Sequence, residues 1–424
     1  MEPIRERRKK MDERKTLDQE VYQAVFAEGE EKASRLRAVR EKSEALGARP
    51  ASIYPLYREM AREFPGFTVP AINLRGMTYD VARALFRTAK RLSVGAVILE
   101  IARSEMGYTR QRPLEYAAVV LAAAAREEFP GPVFIQGDHF QANRKAFLAH
   151  PEAEKRALKD LIREALSAGF YNIDIDASTL VDLSKETLEE QQRPNYELTA
   201  ELATYVRSLE PEGITVNLGG EIGEIGGHNS TPEELRAFME GFNRAFSAGP
   251  GLSKISVQTG SSHGGVVLPD GSVAKVQIDF ETLRVLSEIA RREYGLAGAV
   301  QHGASTLPEE YFHVFPEVGC AEIHLATGFQ NLIFDHPALP EEFRQKIYRY
   351  LKENLRKEWQ EGWTESQFLY KTRKKAFGIF KRDWWDLPQG VKGPILETLE
   401  ETFEKIFRAL RVTETLERVQ TLCG

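Results

Sequence analysis

The chain has 424 residues, 42% of them hydrophobic and 28% charged, enough to bury one large core or two ordinary ones. A net charge of −6 argues against a sequence-independent grip on nucleic acid, which needs a basic surface to neutralise phosphates. Cys320 and Cys423, the only cysteines, cannot build a disulfide framework or a CxxC metal site. With no apolar signal-like segment in "MEPIRERRKKMDERK" and no run near the roughly 18 apolar residues of a membrane span, a soluble cytoplasmic protein is expected.

Residues 1–50 are dominated by Glu, Lys, Arg and Ala, with Val21, Ala24, Val25 and Phe26 as the main apolar cluster. They read as a charged, solvated helical arm. From "TVPAINLRG" onward, short apolar runs alternate with amphipathic stretches long enough for helices. The pattern predicts strands over 69–74, 95–101, 132–137, 171–176, 214–219, 254–259, 298–302 and 321–325. Helical patterns follow them at 78–91, 112–128, 145–168, 197–209, 231–247, 280–294, 308–317 and 340–356. About eight strand–helix units in roughly 290 residues match a closed (β/α)8 TIM barrel, an α/β fold, here spanning 51–356. A doubly wound open sheet would show a Gly-rich dinucleotide turn after its first strand, and "NLRGMTYD" is not one. Residues 357–424 read as a helical C-terminal extension. Its stretch "EWQEGWTESQFLYKTRKKAFGIFKRDWWDLP" holds all four Trp residues, a stripe suited to packing against the barrel or a partner subunit.

Chemistry in barrel enzymes sits at the carboxyl ends of the strands. "VFIQGDHFQANRKAF" (133–147) ends the third expected strand on Asp138 and His139. Taken alone, the pair reads as ordinary turn residues. The fifth strand, however, ends on Glu221 with Glu224 close behind; His263 follows the sixth in "VQTGSSHGG", and His302 ends the seventh in "VQHGAST". Three His and one or two Glu, far apart in sequence, therefore converge on one rim. Neutral imidazoles bind Zn2+ well, and three protein ligands with an open fourth position make a catalytic site. Gly264, Gly265 and Gly303 leave backbone N–H groups free beside it for a phosphate, and the same glycines suit tight turns with positive φ. Ser305 and Thr306 suit both an anion and the cap of the seventh helix.

These stretches resemble the class II, zinc-dependent ketose-bisphosphate aldolases, the family of fructose- and tagatose-bisphosphate aldolase. "VPAINLRG" resembles the family's first strand, with Asn73 at its Asn, and "GDHFQAN" its Asp-His motif. "EIGEIGG" resembles its Glu-x-Gly-x-x-Gly-Gly loop, "SSHGG" its His-Gly and "VQHGAST" its His-Gly-Ala/Gly-Ser stretch, while "IHLAT" sits at its phosphate strand. The resemblance covers roughly residues 68–335 and leaves out both terminal segments. It implies that His139, His263 and His302 hold Zn2+ or another divalent transition ion, with Glu221 at an alternative metal position. It makes Asp138 the proton-transfer residue at the C4 hydroxyl, with Glu224 and His228 next in line. Gly264, Gly265, Gly303, Ser305 and Thr327 would line a phosphate or other polar end of the substrate. The chemistry implied is reversible retro-aldol cleavage of a ketose (bis)phosphate, as in glycolysis, through a zinc-stabilised enediolate. A homo-oligomer acting on a small sugar phosphate or sugar acid, without nucleic acid or membrane, is expected.

Three positions depart from the family. His324 replaces its substrate-binding Asn on the eighth strand, exchanging an amide for an imidazole that can donate, accept or ligate. The Lys that often follows the His-Gly loop is absent until Lys275, which predicts weaker anion binding, and His228 and Asn229 stand where many members place an acidic pair. A ketose or ketouronate epimerase using the same metal site is a second reading. A non-catalytic partner subunit of a tagatose-bisphosphate aldolase is a third, opposed by the three His and Asp138, for which a scaffold has no need. Strand alternation places Asp138 and His139 on opposite sides unless the loop geometry breaks it, and sets His324 on the same side as Ala326.

Overall fold

Eight apolar runs form the strands of one parallel sheet: β1 Val69–Asn73, β2 Ile98–Ala102, β3 Val133–Gln141, β4 Asn172–Asp176, β5 Asn217–Glu221, β6 Lys254–Val257, β7 Ala299–Gln301 and β8 Glu322–Leu325. The computed structural model describes residues 2–223, 228–260, 267–270 and 278–424. Each strand pairs with its neighbour in the chain, and β8 pairs back onto β1 through Val69 and Glu322, so the sheet closes into the (β/α)8 barrel. A two-residue strand, Pro50–Ala51, adds to the outside of β3.

Local chemistry sets the outer helices. Thr231 accepts from the backbone N–H of Glu234, whose carboxylate reaches back to the Thr231 N–H, so "TPEE" starts the helix Pro232–Ala245. Thr187 and Glu190 do the same for Leu188–Leu209, which begins well before the expected residue 197. The helix expected over 145–168 is two, Arg144–Ala149 and Pro151–Ala168, because Pro151 starts a helix well and cannot continue one. The stretch 308–317 forms a 3-10 turn, Glu309–Tyr311, and the short helix Val314–Glu317.

The expected solvated arm is packed. In the helix Glu2–Phe26, Leu17, Val21, Ala24 and Val25 recur at helical spacing and are buried, as are Leu36 and Val39 of Gly29–Ala45. Both helices cover Pro113–Arg126, whose "AAVVLAAAA" is buried all round. The C-terminal helix Gln389–Ala409 lies on Thr78–Arg91, and Leu416–Cys423 lies on Tyr54–Arg62. The aromatic stripe packs within the chain: Trp384 is buried against Phe334, Phe343 and Phe377, Trp359 stacks on Phe368, and Trp385 on Tyr79. Among the described residues no helix is long and apolar enough to cross a membrane.

Candidate active site

Inside the barrel, residues two apart on a strand point the same way and stack in layers. The lower layer is polar: Glu100, Gln136, Asp174, Lys254 and Glu322 are all buried. Lys254 Nζ donates to Glu322 Oε1 (2.5 Å), Asp174 Oδ2 (2.9 Å) and Gln136 Oε1 (2.9 Å). Tyr57, reaching up from the helix Tyr54–Arg62 beneath the barrel, donates to Glu322 Oε2. Two carboxylates on one ammonium offset its desolvation, and they hold the Lys254 charge above its ordinary range against burial. Burial pushes the Asp174 carboxyl up to about 6 despite Lys254.

The layer above holds the described residues that the sequence singled out at the strand ends. β3 does not end at "GDH"; it continues to Gln141 through an irregularity between Gly137 and Phe140, with His139 in the left-handed region at φ 41°. An extra residue in one strand breaks the two-residue alternation. Asp138 and His139 therefore both line the same cavity, where strict alternation would have parted them. Gly137 makes room for the turn, since a Cβ there would sit 2.4 Å from the Phe140 ring.

His139 Nδ1 lies 2.9 Å from Asp176 Oδ2 and 3.0 Å from Glu221 Oε2, and its Nε2 lies 3.0 Å from His302 Nδ1. His302 Nε2 is 3.0 Å from Ser256 Oγ. Burial opposes a charge on His139, yet Asp138, Glu221 and Asp176 hold its pKa well above the usual imidazole range. Burial raises the Glu221 carboxyl to about 7, with Asp176 repelling it and His139 opposing. Asp176 is buried, yet His139, Ser178 and Gln141 keep its carboxyl below the ordinary range.

His324 sits beside this group, against Asp138. Its Nδ1 is 3.1 Å from Glu100 Oε2 and 3.2 Å from Asp138 Oδ1, and its Nε2 is 2.6 Å from Glu322 Oε1. Neither ring nitrogen meets the angular requirement of a hydrogen bond, so these are ion-pair approaches. Burial disfavours the imidazolium, but Glu100 and Asp138 hold its pKa well above the usual value. Burial in turn raises Glu100 to about 7, with Asp138 adding to the rise and His324 opposing it. Among the described residues, three sets of donors could hold a metal ion: His139 with Glu221 and His302, Asp138 with His302 and His324, and Glu100 with Glu322 and His324, the donor atoms of each within 4.8 Å of one another. His, Asp and Glu donors suit a divalent transition ion, and the crowding of carboxylates that burial holds partly protonated is what such an ion relieves.

A cavity of about 640 Å3 opens above these residues. It is lined by Asp138, His139, His302, His324, Asn73, Gly303, Ser305 and Thr327. Asn73 Nδ2 donates to Glu105 Oε2 (2.6 Å), and Glu105 Oε1 accepts from Arg75 Nε (2.7 Å). Gly303 adopts φ 71°, as a turn glycine should. Thr327 begins the helix Thr327–Asp335 at the rim, and Ser305 lies in the 3-10 turn Ala304–Thr306. Glu221 ends β5 beside His139. His228 is exposed, 2.8 Å through Nδ1 from the Asn229 carbonyl, and does not line the cavity. Glu224, His263, Gly264 and Gly265 lie outside the described residues.

Sequence reasoning passed over Glu100, Asp174, Asp176, Lys254 and Glu322. The signal was present in "NIDID", where two carboxylates two apart in a buried strand share one face, and in "KISV", where a lysine opens a buried strand on the same face as Ser256. It also missed the cations of the cavity wall. Arg75 follows β1, Arg103 follows β2, and Lys371 and Lys374 come from the C-terminal segment.

The sequence matches the model of the class-II fructose-bisphosphate aldolase family over residues 59–374, and the chain belongs to that family. The fold is similar to that of the YdjI aldolase from Escherichia coli K12, with a TM-score of 0.50 and 15% identity over 86% of this chain and 99% of that one. It is also similar to a probable tagatose 6 phosphate kinase from Sinorhizobium meliloti 1021, with a TM-score of 0.57 and 17% identity over 84% of this chain and all of that one. A search of curated proteins finds no match.

Proposed function

We propose that the protein is a metal-dependent aldolase that cleaves the C3–C4 bond of a ketose phosphate reversibly, with His139, His302 and His263 holding the divalent ion, Zn2+ first, and Glu221 offering an alternative position. The observation that carries this reading is the approach of His139 Nε2 to His302 Nδ1 at 3.0 Å while the outer nitrogens face Asp176 and Ser256. Metal-binding imidazoles are ordinarily oriented this way, with the second nitrogen engaged by a carboxylate or other partner. When bound there, the ion supplies a Lewis acid that polarises the ketose carbonyl and stabilises the enediolate left by bond cleavage.

The chain's own residues do the rest. Asp138, which points into the cavity two residues after Gln136, takes the proton of the C4 hydroxyl on cleavage and returns it on condensation. His324, 3.2 Å from Asp138, fixes that carboxylate and carries positive charge beside the departing oxygen. Asn73, held by Glu105, presents its amide to a substrate hydroxyl. The N–H groups and hydroxyls around Gly303, Ser305 and Thr327 receive a phosphate at the barrel mouth. Incubating zinc-loaded protein with ketose phosphates and trapping the aldehyde and triose products tests the reading. Triose release supports it; an isomeric ketose with no triose points to the epimerase instead, and neither product with any ketose removes both.

A further inference from the structure

A second cavity, of about 610 Å3, opens at the amino ends of β7 and β8, on the face of the barrel opposite the mouth. It lies where the end of the helix Tyr54–Arg62 meets the helix Phe280–Tyr294 and the turn that enters β8. Its wall holds four guanidinium groups, Arg62, Arg284, Arg291 and Arg292, against two carboxylates, Glu288 and Glu317. Both acids are already engaged: Glu288 pairs with Arg284 (3.3 Å) and Arg292 (2.5 Å), and Glu317 with Arg411 (2.9 Å). Among the described residues, Arg62 and Arg291 are left without a carboxylate, in a chain where acidic side chains outnumber basic ones, 63 to 57.

Arg291 is held in place by the fold. Its Nη1 donates to the carbonyls of Ala297 (2.6 Å) and Gly319 (2.8 Å), in the turns that enter β7 and β8, and its guanidinium lies over the Phe64 ring at 4.8 Å. Glycines make room for it: a Cβ on Gly298 would sit 2.6 Å from Nη1, and one on Gly319 would sit 2.3 Å from Nη2. The side chain is therefore ordered before any ligand arrives, which removes a usual cost of binding. Nε and Nη2 form the edge that grips an oxyanion through two parallel bonds, and they donate to no described residue. Burial pushes the Arg291 pKa below the ordinary range, as expected of a guanidinium that no paired carboxylate compensates. Arg62, exposed on the same wall, makes no ion pair with any described residue.

We propose that this cavity is a second ligand site, in which the Nε and Nη2 edge of Arg291 and the guanidinium of Arg62 take the phosphate of a small phosphate monoester. Two unpaired cations match the nearly two negative charges that such a phosphate carries near neutral pH, whereas one carboxylate would leave a cation unmatched. The cavity is larger than a phosphate needs and leaves space for the esterified part of a small molecule. The site stands apart from the aldolase reading, since none of its residues lines the mouth.

The test is titration of zinc-loaded full-length protein with inorganic phosphate at constant ionic strength, followed by amide hydrogen exchange so that the bound ion is located as well as counted. Exchange should slow in peptides covering 284–298 and 317–320 as phosphate is added. Arg62→Met removes an exposed charge, so the melting temperature should match the parent while half-saturation of that protection moves to about two- to fivefold more phosphate. Arg291→Lys keeps the charge and loses the fork, and should need about tenfold more phosphate or beyond. Because Arg291 also clamps two turns, a lowered melting temperature in that variant hands the decision to Arg62→Glu. That change places a carboxylate on the cavity wall without touching the clamp, and the protection should vanish with the fold intact. Protection that survives unchanged in Arg62→Glu, or that appears only in peptides of the barrel mouth, would overturn the site. An equal response to acetate at the same ionic strength would overturn it as well, leaving an unselective basic surface.

Discussion

His139 Nδ1 stands 2.9 Å from Asp176 Oδ2, and the relationship fixes the proton on that ring. An ionised carboxylate can only accept, and Asp176 is held ionised, so Nδ1 donates and Nε2 is the nitrogen left to face His302. Asp176→Asn keeps the shape and loses the charge. Its zinc affinity, measured by competition with a chelator, should fall about 10- to 100-fold, the usual effect of losing such a partner. Unchanged affinity would mean that another group orients the ring.

Asp138 faces the cavity by plain alternation from Gln136, and the irregularity of β3 turns His139 to the same side. Asp138→Ala should retain its zinc and lose turnover by at least ~10²-fold, the usual contribution of a positioned acid–base group. Metal content by elemental analysis and single-turnover cleavage separate the two effects. If turnover survives, Glu224 becomes the next candidate, since His228 is exposed and away from the cavity wall.

The strands were legible because each is a short apolar run with its own turn chemistry, and the eight observed spans overlap the eight expected ones. The adjacent Asp138 and His139 were legible as residues but not as geometry, because no two-residue alternation foretells a bulge. Asp174, Asp176, Lys254 and Glu322 were hidden by a habit of reading buried strands as apolar, although their spacing already placed them inside. The N-terminal helices looked solvated because most of their residues are charged. Their partner, the all-round apolar helix Pro113–Arg126, held the signal that something must cover its outer face. The return of the C-terminal segment to the cavity wall was out of reach, since nothing local to Lys371 or Lys374 says that they come back to the barrel mouth.

Removing the metal should make stability fall as pH rises. In the metal-free chain burial raises the Glu221 carboxyl to about 7 and the Asp174 carboxyl to about 6, and His139 and His324 are held well above the usual imidazole range. A group whose folded pKa is raised stabilises fully below its unfolded pKa, and that stability is lost as pH rises through the folded value. Asp176 and Glu322 are depressed, so their contribution is present above the ordinary carboxylate range and lost only in acid. Chelator-treated protein should therefore melt higher near about pH 5.5 than near about pH 7.5, and zinc should reverse the slope by binding the deprotonated ligands. A metal-free melting temperature that rises across that window would show that the carboxylates are not crowded as described.

His324 stands where the resemblance to the bisphosphate aldolases leads one to expect an Asn, and the structure narrows what it can do. Its ring reaches Glu322 below (2.6 Å) and Glu100 and Asp138 beside it (3.1 and 3.2 Å), while also lining the cavity. A charged imidazole there joins the Lys254 layer to Asp138, the proposed proton-transfer residue, and it presents a cation where the resemblance expects an amide. His324→Asn shortens the side chain and removes that charge, leaving Asp138 and Glu100 closer to mutual repulsion. The variant should keep zinc, lose turnover on the native substrate about 10- to 100-fold, and show its pH–rate profile displaced, because Asp138 then titrates without its cation. Relative activity should move toward a ketose bisphosphate and away from a sugar acid. Equal losses on every substrate, with the pH profile unmoved and the protein less stable, would show that His324 serves the buried network alone.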